Sequence, residues 1–227
     1  MKQHYNILLV GAGGIGSYFL PLFLKVFTGN VQIWDKDVLE ERNLDRQNFD
    51  PKFIGANKAS ALKLSQLPEF QSRISVKESW FVEDLSLKEG EFDVFIAAPD
   101  NHMARLAVIN TAERYNLPAI IGGNGTFDSM ASVFLPHLSD TGADPRVRYP
   151  EITTDRSGSP TEHCTGAAQD TTPQLAFANH RAANQMIQLL FTLKDLMDQY
   201  NPDTENLPIE LSTSRYGNES RTAKECF

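Results

Sequence analysis

A turn near the amino end, Gly11-Ala12-Gly13-Gly14-Ile15-Gly16, restricts this chain more than any other feature. It follows the apolar run Tyr5-Asn6-Ile7-Leu8-Leu9-Val10. Ile7 to Val10 is too short for a helix and stops at glycine, so it reads as a buried parallel strand. Gly11, Gly13 and Gly16 have G-x-G-x-x-G spacing. The first permits a tight turn, the second lets a phosphate approach the backbone, and the third lets the next helix pack on the strand. A helix over Gly14 to Val26 presents free N–H groups and its positive dipole end to an anion. A second apolar run, Val31 to Trp34, ends at Asp35, roughly 20 residues on, where an acid can accept a ribose hydroxyl. A packing turn without a ligand is the alternative. No G-x-x-x-x-G-K-[ST] occurs, which excludes a P-loop.

The residues after Asp35 narrow the ligand. They run Lys36-Asp37-Val38-Leu39-Glu40-Glu41-Arg42-Asn43-Leu44-Asp45-Arg46-Gln47-Asn48-Phe49. Asp35 and Asp37 share a face on an extended backbone. Asn43, Arg46 and Gln47 share a face on a helical turn. Gly55-Ala56-Asn57-Lys58-Ala59 then delivers one lysine into a new helix. An arginine and a lysine converging near a glycine turn suit a triphosphate better than a diphosphate bridge. A solvated, charged connection is the alternative.

Further on, Phe92 to Ala98 reads as a buried strand ending at Pro99-Asp100-Asn101. An acid there faces the crevice beyond the strand carboxyl ends, and a hard carboxylate beside phosphates suits Mg²⁺. Asp100 can equally cap the following helix.

D-x-D-x-V-x-x-x-N-L-x-R-Q from Asp35, followed by G-x-x-K-A, resembles the E1-like superfamily, the ThiF/MoeB/ubiquitin-activating adenylyltransferases. Asp100-Asn101 with Arg105 and Asn110 also matches that family's D-N-x-x-x-R-x-x-x-x-N pattern. The resemblance runs from Tyr5 to about Leu190. It is closest to short bacterial and phage-type ThiF proteins, including those of PRTRC systems. It implies ATP-dependent adenylation of the C-terminal glycine of a small ubiquitin-like protein, with an E2-like carrier as a further partner and a homodimer as the working unit. On that footing Gly11, Gly13, Gly14 and Gly16 form the nucleotide turn and Asp35 and Asp37 lie at the ribose. Arg46 and Lys58 take the phosphates, supported by Asn43 and Gln47. Asp100, beside Asn101, holds Mg²⁺. Cys164, in His163-Cys164-Thr165-Gly166, falls in the crossover loop that often carries a nucleophilic cysteine in this family. It can also be inert, and His163 reads as a surface residue. Most bacterial members carry two C-x-x-C pairs for zinc, and this chain has neither, so no zinc is expected. The family's amino-terminal helix and its arginine are likewise not evident.

The 227 residues suffice for one α/β domain. A net charge of −8 disfavours nucleic acid and anionic membranes. No run is apolar enough to span a bilayer, and Met1 to His4 leave no room for a leader before the first strand. Two cysteines, Cys164 and Cys226, fit a reducing cytoplasm rather than a disulfide framework. The expected order continues with a helix over 58–67 ended by Pro68, a strand over 73–81, a helix over 103–115, and strands over 117–121 and 130–135. A loose segment over 137–172 follows, then a long helix over 173–200 capped by Thr172 and Pro173. A short strand over 209–213 and a frayed polar tail over 214–227 close the chain. Alternation of strand and helix gives way to successive strands near Ile120. The fold class is therefore a Rossmann-like α/β sheet, mostly parallel with helices on both faces and antiparallel strands in the second half. The nucleotide part is placed at 1–125 and the extension, crossover loop and long helix at 126–213. Two rival functions fit less of the sequence. An NAD-dependent oxidoreductase accounts for Gly11 to Asp35 but leaves Arg46, Lys58 and Asp100 idle. A non-catalytic nucleotide or partner binder leaves Cys164 silent.

Overall fold

The computed structural model describes residues 2–155, 175–199, 209–214 and 217–221. Ile7–Val10 forms β1, and all four residues are buried, as a central strand covered on both faces requires. It pairs in parallel with β2 (Val31–Trp34) on one side and β4 (Val94–Ala97) on the other. β3 (Ile74–Lys77) adds to β2, and β5 (Ala119–Asn124) adds to β4, both parallel. β6 (Ser129–Phe134), β7 (Glu210–Ser214) and β8 (Gly217–Arg221) follow antiparallel, in the order β3-β2-β1-β4-β5-β6-β7-β8. The expected Rossmann-like α/β class is thus present. The order reverses between β1 and β4, which places a ligand crevice at their carboxyl ends.

Side-chain alternation sorts the core into two layers. Ile7 and Leu9 join Val31, Ile33 and Ile120 under α1 (Gly14–Val26), α2 (Lys58–Leu64) and the described helix Ala176–Gln199. Leu8 and Val10 join Phe95, Ala97 and Ile121 under the helix His102–Arg114. Along α1 and its C-cap, Phe19, Phe23 and Phe27 recur every fourth residue and stack at centroid distances of 6.0 and 5.4 Å. Aromatic pairs of this kind contribute about 0.5–1.5 kcal/mol beyond their burial.

Several boundaries differ from expectation. α2 ends at Ser65, whose Oγ donates to the Ala61 carbonyl, and Pro68 opens a new helix, α3 (Pro68–Gln71). Proline suits a first helical turn, where its missing N–H has no partner to lose. β3 stops at Lys77 because β2, its neighbour, turns away at Asp35. β5 runs on to Asn124 because antiparallel β6 pairs it to the end. His102–Arg114 is α4. The described part of the loose segment holds α5 (Pro145–Arg148) and α6 (Glu151–Thr154), and the long helix is then α7 (Ala176–Gln199). Within the expected tail, Gly217–Arg221 pairs with β7 instead of fraying. Thr172, Pro173, His163, Cys164 and Cys226 lie outside the described residues.

Two ion pairs tie the 140s to this frame. Arg148 Nη1 meets Glu210 Oε2 at 2.8 Å with both side chains buried, and Tyr149 Oη donates to the same oxygen at 2.6 Å. Arg146 bonds both oxygens of Glu113 on α4 at 2.7 and 3.0 Å and also Asp144. These contacts hold the antiparallel half against α4 and β7 without lengthening either.

Candidate functional site

The glycine turn is built for close approach. Gly11 has φ +94°, and a Cβ there would lie 2.5 Å from the Ala98 carbonyl oxygen, so β1 and β4 nearly touch where they end. A Cβ at Gly16 would lie 2.0 Å from the Gly11 carbonyl oxygen, which seats α1 directly on its own strand. Gly13 is different, because a Cβ there would meet only Gln47 Nε2, at 3.6 Å. No tight protein contact explains it, and its open side is the mouth of the crevice at the N-terminus of α1. No side chain among the described residues caps that helix end, which leaves its N–H groups for an anion.

Asp35 is the hub on the β2 side. Its Oδ2 accepts from Ala12 N at 2.7 Å and its Oδ1 from Asp37 N at 2.8 Å. Burial pushes its carboxyl above the usual range, against these two amides and the charge of Lys58. Asn57 caps α2 by accepting from Ala59 N and Ser60 N, and its Nδ2 donates to the Asp35 carbonyl at 2.9 Å. That cap fixes the start of α2, and so fixes Lys58. Lys58 is buried, and its Nζ lies 3.2 Å from Asp37 Oδ2. Burial alone would raise Asp37, but the Lys36 hydrogen bond and the charge of Lys58 hold it below the usual carboxylate range. Asp35, Asp37 and Lys58 therefore meet as the spacing predicts.

The Asn43 to Asn48 loop reaches the turn from the other side. Asn43 is buried as half of a capping box with Glu40, its Oδ1 accepting from Glu40 N at 3.0 Å. Its carbonyl accepts from Arg46 N and Gln47 N, so one turn positions all three residues. Gln47 Oε1 is buried with no hydrogen-bond partner among the described residues, and its Nε2 lies beside Gly13. Arg46 Nη1 donates to Asp45 Oδ1 and to the Arg42 carbonyl, each at 2.8 Å, so its guanidinium rests on its own loop. The latch holding this loop comes from α1. Pro21 has no N–H for the Ser17 carbonyl, and Asn48 Nδ2 approaches that carbonyl at 3.5 Å while Asn48 N donates to Ser17 Oγ at 3.0 Å. The proline inside α1 was a visible signal for this docking.

Two further residues were not legible in the motifs. Asn179 of α7 is fully buried, fills the space beside Gly14 and donates from Nδ2 to the Arg46 carbonyl at 3.0 Å. It clamps the glycine turn to the Arg46 loop. Asn124 ends β5, three residues beyond Ile121, the partner of Ala97 at the end of β4. Asn124 Nδ2, Ser129 Oγ and Gln185 Oε1 are buried without a partner among the described residues.

Asp100 is exposed, and the cap of α4 is Asn101, whose Oδ1 accepts from Ala104 N at 2.8 Å. The capping role open to Asp100 belongs to its neighbour, and Asn101 Nδ2 donates to Asp100 Oδ1 at 3.3 Å. Arg105 Nη2 donates to the Pro99 carbonyl at 3.1 Å and steadies the same strand end. A single carboxylate at this edge fits Mg²⁺, which takes one or two carboxylates together with phosphate oxygens. No cluster of three or more metal-ligating side chains occurs among the described residues. A cavity of about 950 Å³ between Tyr5, Asp93, Tyr115 and Leu193 lies at the opposite, amino ends of the parallel strands. It holds none of these residues. No described helix is long and apolar enough to cross a membrane.

Known proteins resemble this chain in sequence and in fold. The ThiF family matches residues 2–211. The chain is 29% identical over 187 residues to a Saccharomyces cerevisiae protein described as ubiquitin-activating enzyme E1-like, covering 78% of this chain and 29% of that protein. It is 29% identical over 158 residues to the probable adenylyltransferase/sulfurtransferase MoeZ of Mycobacterium tuberculosis, covering 66% of this chain and 39% of that one. Ubiquitin-like modifier-activating enzyme 7 of Mus musculus is 31% identical over 189 residues, 74% of this chain and 19% of its own length. This chain thus spans well under half of these relatives. Among solved structures, E. coli MccB with AMPCPP and MccA superposes with a TM-score of 0.66 at 16% identity, over 96% of this chain and 64% of that one. At that identity the likeness concerns the fold.

Proposed function

Since this chain belongs to the ThiF family, we propose that it binds ATP at the glycine turn and adenylates the C-terminal carboxylate of a small ubiquitin-like protein. The observation that carries this reading is the linkage of three separate segments to one glycine turn. Asp35 joins it through Ala12, Arg46 and Gln47 through Asn179 and Asn48, and Asp100 through the contact of Gly11 with Ala98. A dinucleotide would leave Lys58, Arg46 and Asp100 without work.

In this reading the triphosphate lies over Gly13, where the backbone is open and the α1 dipole points. Each Asp35 oxygen already accepts one backbone N–H and keeps a second lone pair for a ribose hydroxyl. Lys58 exchanges Asp37 for a phosphate oxygen, and Arg46 exchanges Asp45, an exposed and therefore weak partner. Gln47, whose Nε2 is the atom nearest the open side of Gly13, donates that amide to a phosphate oxygen. Asp100 is the residue that would hold Mg²⁺, whose charge offsets that of the phosphates. The peptide carboxylate, guided by the amide of Asn124, attacks the α-phosphorus. A P–O bond forms to the carboxylate, the bond to the β-phosphate bridge breaks, and pyrophosphate leaves. The acyl-adenylate then serves a thiolate, for which Cys164 is the candidate in this chain. Its sulfur would attack the acyl carbon and AMP would leave. A homodimer and an E2-like acceptor complete the proposal. The protein's part is placement and charge neutralisation.

The test is ATP–pyrophosphate exchange with the cognate ubiquitin-like protein. Lys58→Ala, Arg46→Ala and Asp100→Ala should each reduce exchange by about 10²-fold or more, the scale of losing one preorganised electrostatic contact. Cys164→Ala should spare exchange and abolish the thioester. Nucleotide binding with no exchange would identify a non-catalytic binder, and tighter binding of NADH than ATP would refute the reading.

A further inference from the structure

Trp80, just past β3, lies with its ring beneath the Lys36 ammonium, one residue from Asp35. β2 and β3 end together, Asp35 N donating to the Lys77 carbonyl at 3.1 Å. The chain after Lys77 therefore leaves the sheet next to Asp35, on the side away from β1. Two contacts pin this exit. Ser60 Oγ on α2 donates to Glu78 Oε1, and Phe81 packs edge-on against Trp34 at 5.6 Å. Trp80 lies between these anchors and is half-buried. Lys36, the residue after Asp35, places its Nζ 4.3 Å from the Trp80 ring centroid and 2.7 Å from Asp37 Oδ1.

The strand order dictates where a nucleotide goes. Phosphates on the glycine turn sit at the end of β1, and a ribose at Asp35 sits at the end of β2. The base must then continue toward β3, the next strand. There it meets an indole held from both sides. We propose that Trp80 is the stacking platform for the base of the bound nucleotide, and that Lys36 covers the ring until the base arrives. This rests on the nucleotide reading of the crevice and adds the residue that grips its base. Stacking on an aromatic face accepts any base because every base has a π-face. A cation–π contact at a half-exposed ring is weak enough to be replaced. Lys36 keeps Asp37 as a partner when it moves, so its charge is not stranded.

The chain has two tryptophans, and Trp34 is buried beneath Phe81. Emission and calorimetry on the full chain can therefore follow Trp80, using ATP and inorganic tripolyphosphate, which has no base. ATP should quench emission and tripolyphosphate should not. Trp80→Ala should weaken ATP binding about tenfold, within the range for loss of one base–aromatic stack, while tripolyphosphate binds as before. Trp80→Phe should recover most of the loss. Unchanged ATP affinity in Trp80→Ala would overturn the proposal. So would an equal loss for tripolyphosphate, which would reveal damage to the fold. The two readings fail separately. ATP binding that needs Lys58 but ignores Trp80 sinks the platform and leaves adenylation standing. Base-dependent quenching without pyrophosphate exchange supports the platform and sinks adenylation.

Discussion

Gly14 and Asn179 should be energetically coupled across 165 residues of chain, and the size of the coupling follows from the local geometry. Gly14 is the first residue of α1 and its φ is not positive, so the backbone permits alanine. The nearest obstacle is the Asn179 amide, whose Nδ2 and Oδ1 would lie 2.7 and 2.8 Å from the new Cβ. Gly14→Ala alone should therefore cost about 1–3 kcal/mol, the usual range for overpacking. Asn179→Ala alone loses the bond to the Arg46 carbonyl, about 1 kcal/mol. Part of that is offset, because the buried and unpartnered Oδ1 leaves with it. In the double variant the clash is gone, and alanine replaces glycine in a helix, where it is favoured by up to roughly 1 kcal/mol. The double variant should be no less stable than Asn179→Ala by itself, giving a coupling of about 1–3 kcal/mol. Urea denaturation of the four proteins measures it, provided m stays constant. Gly16→Ala is the control. Its Cβ would strike the Gly11 carbonyl oxygen, which is backbone, so Asn179→Ala should not rescue it. If Gly14→Ala costs the same with and without Asn179, the packing argument is wrong.

Three further outcomes can be checked. Asp35→Asn has one acceptor oxygen for two backbone N–H groups, Ala12 and Asp37. One amide is left unpaired, so the midpoint of urea denaturation should fall by the equivalent of about 1–3 kcal/mol. Glu210→Ala strands the buried Arg148 and should lose about 3–5 kcal/mol, whereas Ala substitution of the exposed Arg42, paired to Glu40, should be nearly silent in the same assay. Glu113 is held at about 2, first by its hydrogen bonds to Arg146 and then by Ser139. Its pKa is depressed on folding, so its contribution is present above the ordinary carboxylate value near 4.5 and is lost as pH falls toward 2. Glu113→Gln should flatten the decline of stability between those values, most visibly at low salt because the side chain is partly exposed.

The local elements were legible because their signals are local. Ile7–Val10 and Val31–Trp34 are bounded by glycine and aspartate, and the helix after Gly13 has its turn written into its spacing. Asp35, Asp37 and Lys58 could be grouped because a short, capped connection leaves them few places to go. Asp100 was read as a cap or a ligand because the two roles use the same residue type at the same strand end. Only coordinates could give the cap to Asn101. Lys58 and Arg46 look equivalent in the sequence, yet one is buried against Asp37 and the other lies along its own loop. Helix and strand ends were missed where a neighbour decides them, as at Lys77 and Asn124.

By itself, the order of residues determined the glycine turn, the strand and helix on either side of it, and the grouping of Asp35, Asp37 and Lys58 at the crevice beyond β1 and β2. These follow from steric permission, hydrophobic period and capping, all of which act within a few residues. What clamps that crevice was decided only in three dimensions. Asn179 reaches Gly14 and Arg46 from far along the chain, Pro21 frees a carbonyl for Asn48, and Trp80 meets Lys36 beside Asp35. Each of those contacts joins groups whose sequence separation carries no information about their distance. Each exists because packing two helix layers on one sheet leaves a single arrangement in which the buried volume is filled.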